Sequence, residues 1–267
     1  MLKKRIFSLF ISLLLLIVPI TNFAAMESSA PQKENGSVNG GAVLDSLFSD
    51  TVETAEKEIE KTAEKLAQAS QPQAVAKAVE KSIKEIKKGT KTYRKVFKNV
   101  YFVGDSLMNG LEIYNILNSK KLITQVSASL YHLSDNMEKI IKLRPPVLIL
   151  HYGINMLSTE KVLLDNFINM YSKLIKQLKK ELPDCRIIVS LIFPVDRSVA
   201  KAVRFGKINT YNKRLIKMCK SFEVEYLDSR PAFEKGKKYY GSDGIHLAKA
   251  FYEKHWLKFI MREKGIY

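Results

Sequence analysis

From residue 98 onward, short apolar runs alternate with segments in which apolar side chains recur at helical spacing. The apolar runs are rich in Val, Ile and Tyr and predict five strands, at 99–103, 122–126, 147–152, 186–191 and 224–227. Helices are predicted between and after the strands, at 107–117, 130–143, 159–182, 199–220 and 247–261. Strands that alternate with helices favour an α/β fold in which a parallel sheet is covered on both faces.

The first 25 residues have the layout of a secretory signal peptide. Residues 3–5 are basic, residues 6–20 are almost continuously apolar, and the small residues Ala24 and Ala25 follow. The alternative is an uncleaved anchor, but the apolar run is short for a membrane span, so cleavage is favoured. We therefore expect a secreted or extracytoplasmic protein, whose only contact with a membrane would be an uncleaved N-terminal segment.

Residues 26–96 predict a linker followed by an amphipathic helical spacer. Residues 26–42 are rich in Ser, Gly, Asn and Pro, whereas residues 43–88 are mostly Ala, Glu, Lys and Gln. Apolar residues at helical spacing predict two helices that separate at Pro72. Two alternatives stay open: a stalk that spaces the domain from a membrane or a partner, or a spacer without a specific role. The apolar stripe is narrow, so the spacer is expected to lie on the following domain or to pair weakly.

The chain has a formal net charge of +17, and most of the excess belongs to residues 97–267, which hold 29 Lys and Arg against 16 Asp and Glu. A basic domain attracts polyanions, and an anionic cell-wall polymer is one candidate partner. The alternative is a solvated surface, because the lysines are scattered rather than clustered. No nucleic-acid-binding motif accompanies the charge, so we expect no nucleic-acid partner.

Two cysteines, Cys185 and Cys219, are predicted to lie at the same edge of the sheet, one before a strand and one at the end of a helix. Export would permit a disulfide between them. Sequence alone does not give the separation of the two Cα atoms, so a bridge and two free thiols both stay open, with free thiols favoured.

Three polar segments follow the predicted strands. In parallel sheets the carboxyl ends of the strands meet at one edge, so these segments are expected to converge on one rim. Together they supply a serine, an amide, an aspartate and a histidine, which are the groups needed to attack an ester and to stabilise the resulting oxyanion. The segments are Gly104-Asp105-Ser106-Leu107, Gly153-Ile154-Asn155 and Asp243-Gly244-Ile245-His246.

In these segments the chain resembles the SGNH hydrolase superfamily, also called the GDSL-type esterases and lipases. The resemblance covers roughly residues 97–262 and implies that residues 97–267 form the hydrolase domain. It also implies a flavodoxin-like three-layer α/β/α sandwich, here with a five-stranded parallel sheet. Ester hydrolysis in this superfamily needs no metal and no other cofactor.

The resemblance assigns roles to individual residues. Ser106 corresponds to the nucleophile, His246 to the general base and Asp243 to the acid that orients the base. Asp228, after the fifth predicted strand, is a rival for the acid. Asp105 is expected to form only local hydrogen bonds.

The oxyanion donors implied by the resemblance are the amide of Asn155, the backbone N–H of Ser106 and a backbone N–H after the second strand. The family usually has a glycine at that third position, whereas Ser127 lies in register here. Gly153 and Tyr240 are expected to contact the substrate.

These observations predict an exported serine esterase that acts on acyl esters, above all acetyl esters, of a small or polymeric substrate. A carbohydrate, of the cell envelope or elsewhere, is the expected alcohol part. The alternatives are an acyltransferase that uses the same triad and a catalytically silent envelope-binding module of the same fold.

Overall fold

The computed structural model describes residues 72–233 and 239–267. The predicted signal peptide, the linker and the first spacer helix lie outside these residues. Among the helices of the described ranges, none is long and apolar enough to cross a membrane.

A five-stranded parallel sheet forms the centre of the domain, with the strand order β2-β1-β3-β4-β5. This is the flavodoxin-like order, which confirms the predicted fold class. Every residue of β1 is buried, because the strand lies inside the sheet and both of its faces are covered. The strands are β1 (Val100–Gly104), β2 (Leu122–Thr124), β3 (Val147–His151), β4 (Arg186–Ser190) and β5 (Glu225–Leu227).

Helices cover both faces of the sheet. Right-handed crossovers bring the helices that follow β2, β3 and β4 to one face, where they contact one another, and the helices that follow β1 and β5 to the other. The helices before and between the strands are α1 (Pro72–Lys87), α2 (Tyr93–Val96), α3 (Ser106–Ile113), α4 (Leu130–Asp135), α5 (Met137–Leu143), α6 (Lys161–Glu181) and α7 (Ile208–Ser221). After β5 come α8 (Lys249–Phe251), a π-helical turn (Tyr252–Trp256) and α9 (Leu257–Lys264).

Two predicted helices differ from the observed ones. The helix expected at 130–143 is divided at Asn136, whose side-chain amide donates to the carbonyl of His132 and ends α4. The helix expected at 199–220 begins only at Ile208. The segment before Ile208 instead forms successive turns, in which the N–H of Ala202 donates to the carbonyl of Val199 at 3.0 Å and the N–H of Phe205 donates to the carbonyl of Ala202 at 2.9 Å.

The second spacer helix, α1, packs against α9. Val79 and Ile83 of α1 are buried in the common apolar core. Arg262 of α9 donates to the carboxylate of Glu80 at 2.6 Å. The narrow apolar stripe left open whether the spacer lies on the following domain or pairs weakly, and this helix lies on the domain.

Cys185 and Cys219 are both free thiols. Burial raises the pKa of Cys185 to about 11. Burial is also the largest cause of the shift at Cys219, whose pKa is raised to about 12. Both side chains therefore remain protonated at neutral pH, and the favoured alternative for this pair is confirmed.

Candidate active site

Ser106 is the first residue of α3 and comes just after Asp105, which separates it from Gly104 at the end of β1. Asp105 caps the helix, because its carboxylate accepts a hydrogen bond from the N–H of Leu107 at 3.0 Å. The backbone N–H of Ser106 is one of the first donors of the helix, which have no acceptor within the helix. The helix N-terminus therefore places a hydroxyl and an N–H donor together on the rim of the sheet.

His246 and Asp243 lie before α8 in the segment 239–248, across which two backbone hydrogen bonds are formed. The N–H of Gly241 donates to the carbonyl of His246 at 2.8 Å, and the N–H of Ala248 donates to the carbonyl of Tyr239 at 2.7 Å. Gly244 has a φ of +67°, a conformation in which a residue with a Cβ is strained. The predicted tight path between Asp243 and His246 thus depends on a glycine.

An unbroken chain of hydrogen bonds links the three predicted catalytic side chains. His246 Nε2 lies 2.9 Å from Ser106 Oγ, and His246 Nδ1 lies 2.5 Å from Asp243 Oδ2. An ionised carboxylate can only accept, so Nδ1 carries the proton and Nε2 is free to accept from the serine hydroxyl. The histidine and aspartate side chains are 52% and 46% exposed, so this chain of groups lies open to solvent.

Asp243 is held in its ionised form. Its partial burial raises the pKa, but hydrogen bonds from the His246 side chain and from the N–H groups of Ile245 and His246 outweigh burial and lower the pKa to about 2. Both backbone bonds go to Oδ1, at 2.9 Å each, and leave Oδ2 to the imidazole. One carboxylate therefore shapes the loop and orients the base at the same time.

Asp228, the rival acid, is bound elsewhere. Its carboxylate accepts from the backbone N–H and the guanidinium of Arg230, whose side-chain hydrogen bond is the main reason that the pKa of Asp228 is lowered. Of the two carboxylates, the structure brings Asp243 to His246.

Asn155 lies on the short 3₁₀ turn Ile154–Met156 after β3, and it is exposed. Its amide nitrogen donates to the backbone carbonyl of Ala128 at 3.0 Å. A primary amide has two N–H groups, so this bond orients the side chain and leaves the second N–H for another acceptor. The loop after β2 thereby fixes a group that follows β3, a link that sequence reasoning missed and for which the chain carries no local signal.

Ser127 has a left-handed backbone conformation, with a φ of +59°. It is the third residue of a turn that the N–H of Ala128 closes onto the carbonyl of Gln125 at 3.3 Å. A positive φ at this position alone is typical of a type II turn, in which glycine is preferred. The serine thus occupies a backbone conformation that suits the glycine usual in the superfamily.

Gly153 and Tyr240, the predicted substrate contacts, have visible structural roles. Gly153 is buried with a φ of +134°, and a Cβ there would lie 2.5 Å from a side-chain carbon of Ile192. The Tyr240 hydroxyl donates to the carbonyl of Pro194 at 2.9 Å, and its ring stacks on Phe233. Contact with a substrate stays a prediction for both.

Two further histidines are buried in the framework. His151 Nδ1 lies 3.2 Å from the Ser190 hydroxyl, and burial lowers the pKa of this imidazole to about 3. His132 Nδ1 lies 2.7 Å from the Tyr152 hydroxyl, and burial is the main reason that its pKa is lowered. Both are packing residues with hydrogen-bond partners.

The loop after β4 supports the loop that carries the histidine. The N–H of Asp196 donates to the carbonyl of Gly244 at 2.8 Å. The space beside the Gly244 Cα is filled by Val199 and Ser198, which a Cβ would approach to 3.0 and 3.1 Å. Sequence reasoning missed this support, because it assigned residues 199 onward to a helix.

Comparisons with known proteins agree with this geometry. A family model described as the GDSL-like lipase/acylhydrolase family matches residues 102–254, which is more than half of the chain. No curated protein matches the chain.

Several solved structures are similar to this chain at low sequence identity. A single-residue variant of Axe2, an acetyl xylan esterase from Geobacillus stearothermophilus, has a TM-score of 0.50 and 15% identity, covering 62% of this chain and 94% of that chain. A protein from Bacteroides fragilis described as an acylhydrolase has a TM-score of 0.49 and 15% identity, with 62% of this chain and 85% of that chain covered. A protein from Parabacteroides merdae described as a GDSL-like lipase has a TM-score of 0.48 and 15% identity, with 62% and 94% covered.

At these identities the solved structures concern the fold, whereas the family match concerns the sequence itself. The matched range contains Ser106, Asp243 and His246, whose side chains are joined by hydrogen bonds at the rim of the sheet, and the segment of Asn155. The chain therefore belongs to the GDSL-like lipase/acylhydrolase family and is a serine hydrolase that acts on ester bonds.

Proposed function

We propose that this protein is an exported esterase that removes short acyl groups, above all acetyl groups, from a carbohydrate, with Ser106 as nucleophile, His246 as general base and Asp243 as the acid that orients it. The observation that carries the proposal is the hydrogen-bond chain from Ser106 Oγ through the imidazole to the Asp243 carboxylate. The half-exposed imidazole supports a bulky alcohol part, because a polymer can approach a site at the surface.

The reaction follows from the positions of the protons. His246 Nε2 accepts the proton of the Ser106 hydroxyl as Oγ bonds to the acyl carbon, and the carbonyl oxygen becomes an oxyanion. The N–H groups of Ser106 and Ser127 and the free amide N–H of Asn155 would donate to this oxyanion. His246 then returns its proton to the leaving alcohol as the ester bond breaks. Water attacks the acyl carbon of the acyl-enzyme in the same way and gives its proton to His246. His246 passes this proton to Ser106 Oγ as the bond between Oγ and the acyl carbon breaks, which releases the carboxylic acid and restores the serine hydroxyl.

The nucleophile is tested by Ser106→Ala in the full chain, with p-nitrophenyl acetate as substrate. We expect kcat/KM to fall by about 10⁴-fold or more, because the oxygen that forms the acyl-enzyme is lost. Ser119→Ala is the matched control, since it removes an exposed hydroxyl from the turn before β2, at the opposite end of the sheet. Equal turnover in wild type and Ser106→Ala would overturn the proposal.

The amide donor is tested by Asn155→Ala with the same substrate. Loss of one oxyanion donor lowers kcat by about 10²–10³-fold, with a small effect on KM. Asn118→Ala is the control, because that asparagine caps a turn far from the rim, before β2. An unchanged kcat would remove Asn155 from the oxyanion site.

One protein that shares this fold is an acetyl xylan esterase, which makes acetylated xylo-oligosaccharides a sensible first carbohydrate to assay. The export part of the proposal rests on residues 1–25, and the mass of the mature chain recovered outside the cell tests it. A chain that keeps its first 25 residues and stays in the cytoplasm would contradict export.

A further inference from the structure

An open cleft of about 860 Å³ lies between α4 and α6, with Asn155 among the residues that line it. Its volume lies in the upper part of the range typical of small-molecule sites. Because Asn155 belongs both to the cleft and to the proposed oxyanion site, a molecule bound at Ser106 can extend into the cleft without leaving the surface.

Helix α6 provides one wall. Asn166, Met170 and Lys173 line the cleft and follow one another at spacings of four and three residues, which places them on one face of this helix. Asn169 borders the same face. The wall therefore offers two amides and an ammonium group around an apolar thioether.

Tyr131 of α4 provides the opposite wall, with 66% of its surface exposed. Its position in the helix is fixed, because its N–H donates to the Ser129 hydroxyl that caps α4. A large aromatic ring left open beside a catalytic rim is a platform with an apolar face and a polar end.

This alternation of apolar and polar groups matches a saccharide better than a hydrocarbon chain. A sugar ring has C–H groups that pack on an aromatic face and hydroxyls at its edge that pair with amides and ammonium groups. A long acyl chain would cover the Asn166 and Asn169 amides without giving them partners, which costs free energy. The cleft is also open to solvent, whereas a long acyl chain gains most from enclosure.

We propose that this cleft binds the saccharide part of an O-acetylated glycan, with Tyr131 as the stacking platform and Asn166 and Asn169 as partners of the sugar hydroxyls. The proposal rests on the esterase function proposed above and assigns a substrate-binding site to it. Tyr131 and the two asparagines are thus specificity-determining residues that do not touch the reacting bond.

The test compares two kinds of substrate in the full chain. p-Nitrophenyl acetate presents the acyl group without a sugar, whereas acetylated xylotetraose, cellotetraose and chitotetraose present both. For Tyr131→Ala and for the double variant Asn166→Ala/Asn169→Ala, we expect kcat/KM on the best of these glycans to fall by about 10-fold or more, mainly through KM. The rate on p-nitrophenyl acetate should stay within about twofold of wild type.

Two controls separate the role of the ring from general damage. Tyr131→Phe keeps the stacking face and should hydrolyse the glycan at about the wild-type rate. Tyr267→Ala removes another exposed tyrosine, at the chain end, and should change neither rate. All of these positions are exposed, so a thermal unfolding curve should stay near that of wild type.

Unchanged glycan hydrolysis in the cleft variants, or an equal loss of rate on both kinds of substrate, would overturn the inference. So would a third result, in which no glycan is cleaved, p-nitrophenyl decanoate is hydrolysed faster than the acetate, and hydrolysis of the decanoate slows in Tyr131→Ala. The last would assign the cleft to an acyl chain. Failure of the esterase proposal is distinguishable, because it would appear as p-nitrophenyl acetate turnover that survives Ser106→Ala.

Discussion

Two aspartates near the nucleophile have opposite environments. Asp105, beside Ser106 at the end of β1, is fully buried, and burial raises its pKa to about 7. Asp243, beside His246, is 46% exposed, and hydrogen bonds outweigh its partial burial and lower its pKa to about 2. The same type of side chain therefore supports the framework at Asp105 and the proposed chemistry at Asp243. The difference comes from how far each carboxylate is exposed to water and how many hydrogen-bond donors it has.

The segments around the two aspartates are held in different ways. Leu107 and Met108, next to Asp105 and Ser106, are buried in the core, so packing fixes the nucleophile. The loop from Gly241 to His246 is held by backbone hydrogen bonds and by the support under Gly244. We therefore expect substitutions of the framework residues in the first segment to change stability and substitutions in the second to change rate.

Between the two aspartates, the larger effect is expected for Asp243→Asn. The asparagine oxygen can keep the two backbone hydrogen bonds, but its NH₂ group would then face His246 Nδ1 and move the ring proton to Nε2. An imidazole in that tautomer cannot accept the Ser106 proton, so kcat should fall by about 10²–10⁴-fold on p-nitrophenyl acetate. The free energy of unfolding should fall by about 1 kcal/mol or less, because the two backbone hydrogen bonds are kept and solvent screens the charge that this half-exposed side chain loses.

Asp184→Asn is the matched control, since Asp184 is an exposed aspartate before β4 at the opposite end of the sheet. A normal rate in Asp243→Asn, or a rate lost together with the fold, would break the distinction between the two segments.

A smaller effect, on stability alone, is expected for Asp105→Asn. The pKa of Asp105 in the folded protein is about 7, above the ordinary value of 3.8, so the folded state keeps a proton that the unfolded state releases. The wild type therefore loses stability as pH rises from about 4 to about 7, and an asparagine does not titrate. As pH rises from about 4 to about 8, the variant should gain about 2–4 kcal/mol relative to wild type.

Urea unfolding of both proteins at several pH values measures this gain, and the comparison cancels the titration of all other groups. Asp184→Asn should follow the wild-type curve. Parallel curves for Asp105→Asn and wild type would show that the buried carboxyl does not hold its proton in the folded state.

The smallest effect is expected at Ser127, where the substitution acts on the backbone conformation and not on core packing or on a titrating group. Glycine relieves the strain of the left-handed conformation, about 1 kcal/mol, but loses a similar amount to the greater freedom of the unfolded chain. Ser127→Gly should therefore change stability by less than about 1 kcal/mol and kcat by less than about threefold, because the backbone N–H is kept. Ser127→Val should destabilise by about 1–2 kcal/mol, since a β-branched residue fits a positive φ poorly.

Thermal unfolding and p-nitrophenyl acetate kinetics check this pair, with Ser127→Ala as the control that removes the hydroxyl alone. A Ser127→Val variant as stable as wild type would mean that the turn adapts its φ. A large loss of rate in Ser127→Ala would assign a role to the hydroxyl instead of the N–H.

The strands and the rim were predictable because each depends on local sequence. Buried parallel strands need continuous apolar runs, and the observed β3 and β4 lie within one residue of the predicted ranges. The meeting of Ser106, Asp243 and His246 at one rim was predictable, because each lies on a short segment after a strand or before a helix, whereas their catalytic roles stay a prediction that the family resemblance implies. The helix boundary at Asn136 was missed, because the hydrogen bond from its side chain to the backbone carbonyl of His132 ended a helical turn.

The cleft could not be predicted from the sequence. Tyr131 and Asn166 lie on different helices, and only the packing of α4 on α6 makes them opposite walls. Exposed tyrosines and asparagines on amphipathic helices are common, so nothing in the spacing of these residues distinguishes them. The bond from Asn155 to the Ala128 carbonyl was missed for the same reason, since it joins two loops that are distant in sequence.

Because α1 packs on α9, the folded domain extends beyond the stretch that this chain shares with the family model. The shared stretch, 102–254, omits Val79 and Ile83 of α1 and the fully buried Trp256 and Ile260 beyond its other end. A fragment trimmed to those limits would expose apolar side chains of the core to water, and we expect it to aggregate. Family membership and solubility thus set different limits on this chain, and we expect a soluble recombinant enzyme to need the residues from 72 onward and the last helix.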